Sequence, residues 1–230
     1  MSTKSTYILL AIVGFIGIVL LSASFAINPG PPAGISNAQL IAWGAQNEKL
    51  IQAGAWSQIV GSFLQVVFIL GILYITGAIR RFVGLIVAVA AVLIMGVSLV
   101  ESSFYLSAIA SGLSGDFEGL HVSLNLILSI QHAYSIIPAP ALDGGLGVVL
   151  LTSALFKGLF GRILGYLGLA FGVILLILGF FGTFTPLQGM IDNVLMAQQV
   201  WLLAVSIAII IGARHVQNSP VVSQTEAIAS

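Results

Sequence analysis

The sequence predicts an all-α, polytopic transmembrane helix bundle, and three observations carry that prediction. Hydrophobic residues make up 59% of the chain and charged residues 6%, with a mean hydropathy of +1.14, far from the balance of a soluble domain. The apolar residues gather into runs of about 20, the length a helix needs to cross roughly 30 Å of hydrocarbon. Those runs are continuous rather than alternating, which excludes the two-residue pattern of an outer-membrane barrel.

Six spans are expected, at Tyr7 to Ile27, Trp56 to Ile79, Phe82 to Tyr105, Ala133 to Phe156, Ile163 to Phe184 and Val194 to Ala213. Together they make a single transmembrane domain over residues 1–213, followed by a polar tail, 214–230, that reads as disordered. The first span has Lys4 before it and Ser22, Ala23 and Ser24 near its end. That resembles a signal peptide, but it is read as a retained helix.

Basic residues gather on the cytoplasmic side of short loops. With the N-terminus inside, Lys4, Arg80, Arg81, Lys157, Arg162 and Arg214 are cytoplasmic and Lys49 alone is outside. Six spans then return the C-terminus to the cytoplasm. Glu48, Asp116, Glu118 and Asp192 fall on the outer side.

Two amphipathic extracytoplasmic segments are too long to be turns. In the first, Asn28 to Gly34 holds prolines and glycines that oppose a helix, and Asn37 is expected to cap a helix lying on the membrane surface. Leu40, Trp43, Asn47, Leu50 and Gly54 share one stripe of that helix. It reads as a surface cap, or alternatively as a lid or docking surface. The second, Asp116 to His132, interleaves His121, Ser123, Asn125, Ser129, Gln131 and His132 with leucine and isoleucine, as an interfacial helix or the outer half of one long broken helix does.

The fourth span carries the chain's most unusual stretch, "PAPALDGGLGVVLL". A helix running unbroken from Leu120 to Phe156 would be about 55 Å long, so a break is expected at Pro138 and Pro140. Asp143 is then placed to cap the restarted half-helix. A second reading rests on depth. At 1.5 Å per residue from the cytoplasmic basic residues, Asp143 lies roughly 21 Å in, Gln65 and Gln199 about 22 Å and Ser98 about 25 Å. A polar layer of this kind is able to bind a proton, an ion or a ligand head group, or to fix helix register as a closed hydrogen-bonded knot.

Glu101 is the second embedded acid, and His132 falls at a similar outer level, so the two form a candidate outer-face pair. Asp116, Glu118 and His121 make a weak candidate metal site. His121 and His132 are too far apart along a helix to share one haem, and His215 lies across the membrane. No cofactor is expected. The chain has no cysteine and a formal net charge of zero, which removes thiolate chemistry and any basic face for nucleic acid. No nucleophile, phosphate-loop or zinc-protease motif occurs, so an enzyme is not the expected class.

Gly161, Gly165, Gly168 and Gly172 recur at spacings of four, three and four on the fifth span. Such a stripe admits another helix at close range, either within the bundle or from a homodimer or partner subunit.

The stretches "GSFLQVVFILGILYITGAIRR" and "FKGLFGRILGYLGLAFGVILLILGFFG", with an acid late in the third helix and a Pro-Gly-Asp-bearing fourth, resemble a family of small prokaryotic six-span integral membrane proteins of unknown function. The resemblance covers roughly Tyr7 to Ala213 and includes the entry to the fifth helix at Arg162 to Tyr166. It implies the plasma membrane of a prokaryotic cell and supplies no reaction.

Two functions are therefore expected. One is a non-catalytic subunit or scaffold in a larger membrane complex, partnered by the lipid bilayer and by other membrane subunits or copies of itself. The other is a small carrier or sensor that binds a proton, an ion or a lipid-like ligand around Asp143.

Overall fold

A computed structural model describes residues 3–27, 36–114, 116, 118–119, 122, 137–182 and 188–217. Among them the chain forms six main helices: α1 (Thr3–Ile27), α2 (Asn37–Ile75), α3 (Phe82–Ser114), α4 (Pro138–Thr152), α5 (Leu159–Gly182) and α6 (Gln188–Gln217). Short 3-10 turns at Ala78–Arg80 and Ala154–Phe156 tighten the α2–α3 and α4–α5 connections. All except α4 are long and apolar enough to cross a membrane. The chain is thus a helical bundle of multi-pass membrane type.

α2 differs from its expected form. Its 39 residues run without interruption from Asn37 to Ile75, about 58 Å of helix, so the segment around Trp43 continues into the span instead of forming a separate surface helix. The cap is Ser36, one residue before the expected Asn37. Its backbone N–H donates to Gln39 Oε1 at 2.8 Å and its Oγ accepts from Gln39 N at 3.4 Å, a reciprocal box that satisfies two otherwise orphaned donors. α3 likewise continues past Tyr105 to Ser114. After the C-terminal end of α2 the chain reverses through Gly77, whose φ of 68° lies in the left-handed region open to glycine.

α4 is 15 residues long, with its prolines in the first turn. Pro138 and Pro140 remove N–H groups that would have no partner there in any case. The expected break is therefore a helix start. Asp143 is the sixth residue of α4, beyond the turn that a cap serves, and it makes no capping bond. The cap reading is corrected accordingly. α4 also ends earlier than expected, at Thr152, where Ser153 turns extended and accepts the Leu155 N–H.

The helices pack in chain order as a closed ring: α1 on α2, α2 on α3, α3 on α4, α4 on α5, α5 on α6, and α6 back on α1. Their inner faces supply an apolar core that includes Phe68, Ile72, Leu73, Val87, Leu142, Leu146, Leu150, Leu202 and Ile209. Their outer faces expose large apolar side chains such as Phe82, Leu85, Val89, Phe180 and Phe181, as lipid-facing surfaces do. In hydrocarbon, close packing and interhelical hydrogen bonds hold helices together, and both are visible. A Cβ on Gly17 would stand 2.9 Å from Gln65 N, and one on Gly61 would stand 2.6 Å from Leu21 N, so α1 and α2 touch backbone to backbone. Ser206 Oγ donates to Ala11 O at 2.8 Å and ties α6 to α1.

Candidate functional site

Asp143 lies on the buried face of α4, with 0% of its surface exposed. It is held there by a close, glycine-lined seam between α4 and α5. A Cβ on Gly147 would lie 2.7 Å from Gly165 O; one on Gly168 would lie 2.9 Å from Asp143 O and 2.6 Å from Trp201 Cζ2; one on Gly172 would lie 2.8 Å from Gly144 N. Three of the four glycines of the sequence stripe thus face α4 from inside the chain, and Gly161 meets Phe156 beneath them. Trp201 Nε1 donates to Leu164 O at 2.8 Å and its ring meets Phe171 edge-on at 5.9 Å. These contacts fix α5 against α6.

Two hydrogen bonds then cross the ring. Gln198 Nε2 of α6 donates to Asp143 Oδ1 at 2.6 Å, and Gln65 Nε2 of α2 donates to Gln199 Oε1 at 3.2 Å. Neighbouring residues on a helix point about 100° apart. Gln198 therefore serves α4 while Gln199 serves α2, and α6 joins the two sides. Asp143 Oδ2 and Gln198 Oε1 are buried without a hydrogen-bond partner. Burying polar atoms unpaired is costly, so this pair invites a further proton or ligand.

Depth can now be measured from the helix ends. Asp143 is nine residues from Thr152 and Gln65 ten from Ile75, placing them about 13.5 and 15 Å along their helices from the ends that carry the two short 3-10 turns. Ser98, 16 residues from Phe82, comes out about 24 Å up. It stands well away from the Asp143 layer, toward a second polar group nearer the opposite ends of α2 and α3. There Gln58 Nε2 donates to Glu101 Oε2 at 2.6 Å, and Ser62 and Ser102 are buried with unpartnered hydroxyls.

His132, expected beside Glu101, and His121 lie outside the described residues, as do 218–230 of the tail. The stretch Asn28 to Gly34, expected to oppose a helix, and most of the second amphipathic segment also lie outside them. Asp116 Oδ1 accepts the Gly119 N–H at 2.9 Å, and Glu118 is exposed. Among the described residues no group of three acids or histidines is placed to hold a metal ion.

Sequence reasoning missed Gln58, Ser62, Ser102 and Gln198. A helical-face reading finds three of them: Gln58, Ser62 and Gln65 recur at four and three residues on α2, and Ser98, Glu101 and Ser102 at three and one on α3. Gln198 has no such signal, because depth alone does not separate it from Gln199.

No protein-family model, no curated protein and no solved structure matches the chain.

Proposed function

We propose that the protein is a small membrane carrier or sensor, with six spans and both termini in the cytoplasm, that binds a proton or small ion at the layer formed by Asp143, Gln198, Gln199 and Gln65. One observation carries the reading: a fully buried carboxyl near mid-membrane keeps one oxygen unpartnered, beside an amide oxygen in the same condition. A knot that only fixed register would leave neither open. The orientation is supported by basic residues at the two short connections, Arg80 and Arg81 at one, and Lys157 with Arg162 in the first turn of α5 at the other. Placement in the plasma membrane of a prokaryotic cell rests on the family resemblance.

The test is reconstitution of the intact chain and of Asp143→Asn into liposomes, followed by uptake of protons, Na⁺ and K⁺ under an imposed gradient. Loss of uptake in a variant that keeps its helicity and its unfolding temperature supports the reading. Equal behaviour of the two proteins in every assay overturns it.

A second reading, a scaffold or subunit of a larger complex, is favoured by the broad apolar faces of α3 and α5 around Phe82, Val89, Phe180 and Phe181, which suit a partner subunit or second copy as well as lipid. The glycine stripe does not add to it, since that face is already taken up against α4. Native mass spectrometry of gently extracted protein decides: companion chains at fixed stoichiometry support this reading, and a lone chain removes it.

A further inference from the structure

We infer that Asp143 exchanges a proton with the outer face along the polar seam between α2 and α3, with Glu101 as the outer relay group. The inference rests on the Asp143 layer being a binding site, and it names the occupant.

A proton fits the leftover atoms of the Asp143–Gln198 pair. The two planar groups are already joined through Gln198 Nε2 and Asp143 Oδ1, and the unused atoms are one oxygen on each, Oδ2 and Oε1. Two acceptors do not bond to each other. A single proton on Oδ2 turns it into a donor and closes a ring of two hydrogen bonds between carboxyl and carboxamide. A hard cation gathers about six oxygen ligands, and this pair offers two.

The seam supplies the route. Measured from the inner ends of α2 and α3, Gln65 stands about 15 Å up, Ser62 about 19.5 Å, Ser98 about 24 Å, Gln58 about 25.5 Å and Glu101 about 28.5 Å. Successive groups rise by about 5 Å or less along the helix axes, and Gln58 Nε2 joins the two helices by donating to Glu101 Oε2 at 2.6 Å. All five side chains are buried, and the Ser62 and Ser102 hydroxyls have no protein partner. A hydroxyl accepts on its lone pair while donating its own hydrogen, so it passes a proton and ends with the count it began with. A proton from the outer water protonates the Glu101 carboxylate. It hops along the seam by exchange at hydroxyl and water oxygens and ends on Asp143 Oδ2, leaving Glu101 ionised again.

Other titratable groups near this route are few. Of the helices packed on α4, α3 brings Glu101 and Tyr105, both in its outer half, and α5 brings Arg162 and Tyr166, both exposed near its inner start. The described side chains of α6 include none.

The experiment is infrared spectroscopy of the liposome-reconstituted full chain during exchange from H₂O into D₂O. The C=O band of a protonated Asp143 is identified as the one that disappears in Asp143→Asn, and its deuteration shift is followed in time. Glu101→Gln is expected to slow that shift about a hundredfold, the low end of what a positioned proton-transfer group contributes. The pair Ser62→Ala with Ser98→Ala, which removes only two hydroxyls of the seam, is expected to slow it in the same direction and keeps the test alive if Glu101→Gln does not fold. If Asp143→Asn removes no such band, the proton assignment falls, while ion uptake still tests the site itself. If the band is present but exchanges at the wild-type rate in the seam variants, the route is overturned and the Asp143 site stands.

Discussion

Asp143 and Gln198 face each other across the helix ring, 2.6 Å apart between Oδ1 and Nε2, and this bond joins α4 to α6 in the interior of the bundle. Its energetic role is separable from that of its neighbours. Gln198→Leu strips the buried carboxyl of its described partner and is expected to destabilise the bundle by about 1–3 kcal/mol, the cost of a buried polar group left unpaired. Adding Asp143→Leu removes the stranded group, so the double variant is expected to cost less than the sum of the singles. A double-mutant cycle on unfolding in detergent measures the difference; strict additivity would mean that the two side chains do not act as a pair.

The α4–α5 seam leaves no room for a side chain. Gly168→Val places atoms where the Trp201 ring and the Asp143 carbonyl already stand within 3 Å of a Cβ position. Overpacking of this kind costs about 1–3 kcal/mol. Gly158→Val is the control, because a Cβ there meets nothing within 4 Å. The expected result is a lowered unfolding temperature for the first variant and an unchanged one for the second.

Trp201→Phe keeps an aromatic ring beside Phe171 and deletes only the Nε1–H that Leu164 O accepts. Hydrogen bonds between membrane helices are worth about 0.6 kcal/mol on average. A loss of that size is expected in unfolding assays, whereas Trp201→Ala is expected to cost several times more because the ring is buried.

Topology is open to direct labelling because the chain has no native cysteine. Gly44 and Gly158 both tolerate a new side chain, since a Cβ at either meets nothing within 4 Å. In intact cells, Gly44→Cys is expected to react with a membrane-impermeant maleimide and Gly158→Cys only after permeabilisation. The reverse pattern would invert the orientation.

Ser36→Ala removes the oxygen of the capping box at the start of α2. The expected cost is about 1 kcal/mol, and it should be local. Faster amide exchange is expected around Gln39 to Asn47, with no change near Gln65.

That the chain forms a bundle of long apolar helices was legible because an apolar run of span length has one stable form in lipid. The ends were less legible: hydropathy falls from Trp56 back through Gln52, Lys49, Glu48 and Asn47, so it does not reveal that α2 stays helical to Asn37. Asp143, Gln65 and Gln199 were found by depth, which is linear along a helix. Whether side chains face one another depends on the angle between helices that the sequence does not rank. Ser98 therefore entered the midplane layer on an estimate that counted α4 through to Lys157, while Gln198, the residue that meets Asp143, went unremarked. The prolines were read for what they forbid inside a helix, although they also suit its first turn.

α2 is an unbroken rod about 58 Å long set in a membrane about half that thick. No proline interrupts it between Asn37 and Ile75. The turns near Trp43 and those bearing Gln58, Ser62 and Gln65 consequently belong to one lever. A rotation imposed where α2 leaves the membrane swings all three polar side chains together relative to Glu101 and Gln199, so the outer end of the rod acts as a handle on the buried seam.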